Sequence, residues 1–199
     1  IYEGLLSVVG LALVCVFFAW GEEYRVLVAG TATDSVVVTV TVSDIISIST
    51  PSDVNMAPDI FGTGVSTGEV LWTVETNNDD GWKLEVHSSS DPAMRLAGVA
   101  DFADYTETVA GVPETWSVAS SDSEFGFSAD GSYVLSQYSS GTLFEGFAGL
   151  NKIKVAEDSA ATPGGGADTT VKFRAEVGSN KNQPSGSYTA TIVATASTL

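Results

Sequence analysis

The sequence has few residues of the kinds that most often carry catalysis or bind metals. It contains one cysteine, Cys15, and one histidine, His87, which excludes an intrachain disulfide and a cysteine metal cluster. No GxSxG, phosphate-loop or dinucleotide fingerprint occurs, and the glycines at 164–166 lie in a loop context that does not suit a phosphate cradle. We therefore expect no enzymatic activity, no cofactor and no metal site.

Positive charge is also scarce. Against 25 acidic residues there are 8 basic ones, so the formal net charge is −17. A surface with this excess of carboxylates repels phosphate, which argues against nucleic acids and anionic membrane surfaces as partners. The 199 residues allow one ordinary domain beside any membrane segment, and no internal repeat is visible.

The longest apolar run covers residues 4–20, carries no charge and is followed at once by Glu22, Glu23 and Arg25. As a helix it would be about 25 Å long, near the lower limit for crossing a bilayer. A signal peptide, a membrane anchor and a helix that packs against copies of itself are the three alternatives. A signal peptide expects a basic region before the run and a small-residue cleavage site soon after it, and neither occurs. We therefore predict that the run is retained.

An apolar first residue, an early acid, an uncharged run and a β-rich remainder together resemble a type IV pilin or an archaeal pilin-like subunit. The resemblance covers about residues 1–30. It implies that a peptidase removes a leader, that subunits sit in the membrane before assembly, and that apolar helices then bundle into the core of a cell-surface filament. Bacterial type IV pilins usually carry glutamate at mature position five, whereas the only early acid here is Glu3. The assembly residues that the resemblance implies are Ile1, Glu3, Gly4, Leu5, Val8, Leu11, Val14, Cys15 and Phe18.

Glu3 has two interpretations. A carboxylate at the end of an apolar helix is costly in a dry bundle unless a positive group meets it, and the free amine of Ile1 on a neighbouring subunit would do so. Alternatively, its negative charge is favoured simply because it lies in the first helical turn.

Beyond residue 30 the sequence predicts strands. Residues 35–50 alternate apolar and hydroxyl side chains, as in a half-buried strand. Residues 71–76 and 82–87 are strand-like and flank NNDDG, which predicts a hairpin with a turn at Asp80-Gly81. This segment resembles the hairpins of β-sandwich domains in bacterial cell-wall proteins. Oxygen ligands from the hairpin tip also suit calcium, although no full calcium-loop spacing is present; they are Asn77, Asn78, Asp79 and Asp80.

The remaining pattern is less regular. We predict a strand at Phe125 and Phe127, a short strand at 153–155, an exposed loop at 162–167, and final strands at 169–177 and 187–195. One short helix is expected near Phe102.

These patterns predict a mainly β protein: a long N-terminal hydrophobic helix over residues 1–30, followed by an immunoglobulin-like antiparallel β-sandwich over 31–199. The expected function is a pilin that forms a helical homopolymer outside the cell. Its β domain would be exposed for adhesion, with any host or surface ligand unknown. The alternative is a monomeric, membrane-anchored surface protein such as an adhesin.

Overall fold

The computed structural model describes Thr31 and residues 33–199. The chain divides into two units at residue 41/42, and all strands of the described part lie in residues 42–199. These strands are β1 Ile46–Ile48, β2 Gly64–Thr76, β3 Trp82–Ser88, β4 Arg95–Leu96, β5 Ala100–Asp101, β6 Ala103–Asp104, β7 Glu114–Thr115, β8 Ser123–Asp130, β9 Leu143–Phe144, β10 Ile153–Asp158, β11 Ala167–Val177 and β12 Ile192–Thr198.

The predicted fold class, a long helix followed by an immunoglobulin-like antiparallel sandwich, is wrong. The structure is 41% strand and 2% helix, and no helix in the described residues reaches seven residues. The helical part is the 3₁₀ turn Ser136–Tyr138. The sheets are also not purely antiparallel, because β6 pairs with β8 in parallel. The predicted helix of residues 1–30 lies outside the described residues.

β11 is the middle strand of the larger sheet, whose order is β1-β2-β11-β8-β6. It pairs antiparallel with β2 from Ala167 opposite Val74 to Val177 opposite Gly64, and with β8 over its C-terminal part. Every second residue of β11 is buried, as its sequence alternation predicts. The strands predicted at 169–177 and around Phe125 are thus confirmed.

The smaller sheet has the order β10-β3-β12, with both neighbours antiparallel to β3. Side chains from both sheets form one apolar core. Its fully buried members include Val74, Trp82, Leu84, Val86, Phe127, Val155 and Val171. The strand predicted at 153–155 is confirmed and extends to Asp158, whereas the last strand begins at Ile192 rather than at 187.

The predicted hairpin between β2 and β3 is wrong. The two strands lie in different sheets, so the connection at 77–81 crosses between sheets instead of turning within one. The side chain of Asn78 is buried in the connection; its amide donates to the carbonyl of Gly81 at 3.1 Å, and its oxygen accepts from the amide of Asp80 at 3.3 Å. Gly81 has the predicted positive φ, +106°, and its Cα lies so close to Asp158 that a Cβ would clash.

Two other predictions are also wrong. Of the strand predicted at 35–50, only β1 forms; the described residues before it carry no helix or strand. The alternation there is real, but a strand needs a paired neighbour as well as a pattern. Near Phe102 the chain forms the short strands β5 and β6 instead of a helix.

Candidate assembly surface

The nine predicted assembly residues all lie outside the described residues: Ile1, Glu3, Gly4, Leu5, Val8, Leu11, Val14, Cys15 and Phe18. Their role as an assembly site therefore remains a prediction. In Thr31 and residues 33–199, no helix has the length and apolar character that crossing a membrane requires.

A second apolar surface lies in residues 36–42, here called the valine segment. Its valines at 36, 37, 38, 40 and 42 are between 77% and 90% exposed. The even-numbered valines alternate with Thr39 and Thr41, so in an extended chain they would all lie on one face. Single exposed apolar residues are ordinary, but five close together form a patch that usually marks an interaction site.

The outer edge of β12, here called the open edge, is an unprotected strand edge of the smaller sheet. Thr191 accepts a hydrogen bond from Ser89 at 2.9 Å, and Leu199 donates one to Gly81 at 3.1 Å, so the odd-numbered residues face β3. The backbone groups of Ile192, Ala194 and Ala196 therefore face away from β3. Within the described residues these groups have no hydrogen-bond partner.

The core is also incompletely covered next to the open edge. The inward side chains Ile192, Ala194 and Ala196 are only partly buried, whereas their β3 neighbours Leu84 and Val86 are fully buried. β1 lies across from β12, and its inward side chains, Ile46 and Ile48, are likewise only partly buried. Apolar side chains of both sheets thus reach solvent along this side of the domain.

In the connection between β2 and β3, the side chains of the two asparagines form hydrogen bonds within the fold. Both asparagines use their amides within the fold: Asn78 as described above, and Asn77 by accepting from the amide of Ile45 at 2.8 Å and donating to the carbonyl of Ser43 at 3.1 Å. Asp79 and Asp80 are exposed. In the described part of the chain, no group of three or more His, Cys, Asp or Glu side chains is placed to hold a metal ion.

The outer face of the larger sheet carries an aromatic cover. Tyr105 stacks on Trp116, with ring centroids 4.4 Å apart, and the guanidinium of Arg174 lies 5.3 Å from the Trp116 ring centroid. The indole of Trp116 donates to Glu176 at 2.7 Å. Gly126 lies beneath this cover, where a Cβ would meet Tyr105 at 2.8 Å.

Beside this cover, carboxylates crowd together. Glu124 lies directly opposite Glu176 in the pairing of β8 with β11. Burial, reinforced by the charges of Asp122, Glu107 and Glu176, raises the pKa of Glu124 from 4.5 to about 7. Burial also raises the pKa of Asp104 to about 6. These groups make the stability of the domain sensitive to pH in the neutral range.

A further carboxylate is enclosed near β9. Tyr138 is fully buried and donates its hydroxyl hydrogen to Glu145 at 2.8 Å. Burial raises the pKa of Glu145 above its usual range. The hydrogen bond satisfies a polar pair that would otherwise be costly inside the domain. His87 lies half-buried on β3, opposite Val193 of β12.

The sequence predictions did not identify the open edge. The signal available was that Ile192–Thr198 contains no charged residue and no proline, the residues that usually protect an edge strand. Comparisons with protein families, with curated proteins and with solved structures find no match to this chain.

Proposed function

We propose that this protein is the structural subunit of an extracellular filament and that its copies join through the apolar N-terminal segment. The observation that carries the proposal is the uncharged run at 4–20, placed directly before a strongly acidic β domain. Burying such a run among copies of itself removes a large apolar surface from water. The acidic domains then remain outside, where water and salt reduce their mutual repulsion.

The same apolar run would also hold the subunit in a membrane before assembly. It is long enough to hold the protein in a membrane until it joins the filament, which makes the filament a cell-surface appendage. In the assembled state a positively charged group of a neighbouring subunit would neutralise Glu3. Repeated head-to-tail contacts that do not close into a ring generate a helical polymer.

Val14 offers a direct test. A lysine in the middle of the run would leave an unpaired charge inside the assembly, so Val14→Lys should abolish filaments seen by electron microscopy of sheared cell-surface material. The matched control, Val14→Leu, keeps the run apolar and should assemble. Circular dichroism of both variants should show the strand content of the wild-type protein. Normal filaments from Val14→Lys would refute the role of this segment.

The alternative function is a monomeric, membrane-anchored surface protein such as an adhesin. Sheared material from wild-type cells that contains the protein but no filaments would favour it. Glu3 gives a second comparison: Glu3→Gln should slow assembly, while Glu3→Asp keeps the charge and should be milder. Assembly of Glu3→Gln at the wild-type rate would leave only the second interpretation of Glu3, a charge favoured in the first helical turn.

A further inference from the structure

We infer that the valine segment of one copy adds as an extra strand to the open edge of β12 on the next copy. The inference rests on the proposed function, since it names a second contact by which subunits of the filament would join. It is carried by two features of the same chain: an exposed apolar segment with strand alternation and a strand edge whose backbone groups are unpaired within the described residues.

The two parts fit in side-chain pattern. β12 turns Ile192, Ala194 and Ala196 toward the core and Val193, Thr195 and Ser197 away from it. A strand added beside it would place the even-numbered valines over the partly covered core, next to Ile46 and Ile48. Its threonines, Thr39 and Thr41, would then lie beside Thr195 and Ser197 on the opposite face of the sheet. Cross-strand pairs of this kind stabilise a sheet.

The two parts also fit in length and charge. The valine segment and β12 each have seven residues. Neither contains a charged residue, although the whole chain has a net charge of −17. Strand addition therefore places no charged residue of one strand directly against the other. It also supplies the missing backbone partners, which an unprotected edge strand otherwise offers to any extended chain.

A second copy is the occupant because the valines are exposed in the single chain. Asn77 fixes the residues that follow the segment, Ser43 and Ile45, at the β1 end of the larger sheet. Within the single chain the valine segment pairs with no described strand, and its valines remain exposed. A donor on one copy and an acceptor on the next make a head-to-tail contact that repeats without closing.

The donor side is tested by a matched pair of variants in the full-length chain, dispersed in nonionic detergent and then assembled by removing it. Val40→Asp places a charge on the face that would cover the core, and should reduce pelleted filament at least tenfold. Thr41→Asp adds the same charge one residue away, on the solvent face, and should assemble to within about twofold of wild type. Because residues 36–42 form no strand, neither change disturbs the fold. Wild-type assembly by Val40→Asp would overturn the inference.

The acceptor side is tested by hydrogen exchange of Ile192, Ala194 and Ala196. Their amides should exchange rapidly in dispersed protein and at least tenfold more slowly in filaments. Ala194→Pro removes a donor that faces away from β3, so it should block strand addition while leaving the pairing with β3 intact. If that variant fails to fold, hydrogen exchange of the wild-type protein, compared between dispersed protein and filaments, still tests whether the edge becomes paired on assembly. Slow exchange in dispersed wild-type protein, independent of concentration, would mean that a chain covers its own edge, and would overturn the inference.

Mixing separates this contact from the apolar core. Isotope-labelled Val40→Asp retains a free acceptor, and Ala194→Pro retains a free donor. Mixing the two should restore slow exchange at Ile192 and Ala196 in the labelled chain, and adding more Val40→Asp should not. The absence of protection in the mixture would refute strand donation. If wild type forms no filaments but shows concentration-dependent protection, the proposed filament fails while the strand contact stands.

Discussion

Glu124 should make the free energy of unfolding fall between about pH 4.5 and pH 7. Its pKa in the folded protein is about 7 and its ordinary value is 4.5, because burial and three neighbouring carboxylates oppose its ionisation. The folded state therefore holds this proton more tightly than the unfolded state throughout that window. Stability falls with rising pH wherever the folded state binds more protons, so the loss is complete above pH 7.

The size of the effect follows from the same shift. A rise from 4.5 to about 7 corresponds to at most about 3.4 kcal/mol, at roughly 1.4 kcal/mol per pH unit. Because Glu124 is partly exposed, solvent screens the repulsion, and we expect about 1–2 kcal/mol. Glu124→Gln keeps the shape of the side chain and cannot ionise. It should equal wild type at pH 4 and exceed it by that amount at pH 8.

Urea unfolding of the full-length chain in nonionic detergent, followed by tryptophan fluorescence at several pH values, measures this difference. Glu75→Gln is the matched control, since it removes one negative charge from an exposed position on β2. Subtracting the control removes the effect of net charge. A constant difference between Glu124→Gln and wild type from pH 4 to pH 8 would refute the argument, because it would mean that Glu124 is equally charged in the folded and unfolded states.

Two further predictions concern packing and the crossing between sheets. Gly126→Ala places a methyl group 2.8 Å from both Tyr105 and the carbonyl of Glu145; it should lower the free energy of unfolding by about 1–3 kcal/mol, whereas Gly164→Ala, which meets nothing within 4 Å, should change it little. Asn78→Ala removes the two side-chain hydrogen bonds of the crossing and should cost about 1–3 kcal/mol in the same urea assay. Equal stability of Asn78→Ala and wild type would show that the backbone alone fixes the crossing.

Local pattern predicted some strands well and their partners poorly. β11 was predicted because its apolar residues alternate with polar ones, and every second residue is indeed buried. β8 was predicted from the alternation of Phe125 and Phe127, although burial along that strand is nearly continuous. The sheet to which β3 belongs was predicted wrongly, because the sequence of residues 77–81 does not indicate whether the next strand pairs with β2 or joins the other sheet. In the structure the buried amide of Asn78 bonds across the connection, and Gly81 packs closely against Asp158, which is distant in sequence.

The candidate site shows the same limit. The alternation of the valine segment was recognised and interpreted as a strand of this domain, yet these valines are exposed. An alternating pattern indicates that one face of the strand is apolar and is stabilised by burial. It does not indicate whether that face is buried in its own chain or against another copy. The open edge of β12 depends on the order of strands in space, which one strand's sequence does not contain.

The central position of β11 has a consequence for how the domain acquires its structure. β2 and β8 are both held by β11, which follows β8 by more than thirty residues and β2 by more than ninety. Neither strand has its principal partner until Ala167–Val177 has been made. Contacts this distant in sequence slow folding. The larger sheet is therefore completed late, and in a chain emerging from a ribosome β2 and β8 cannot pair with β11 until Ala167–Val177 has emerged.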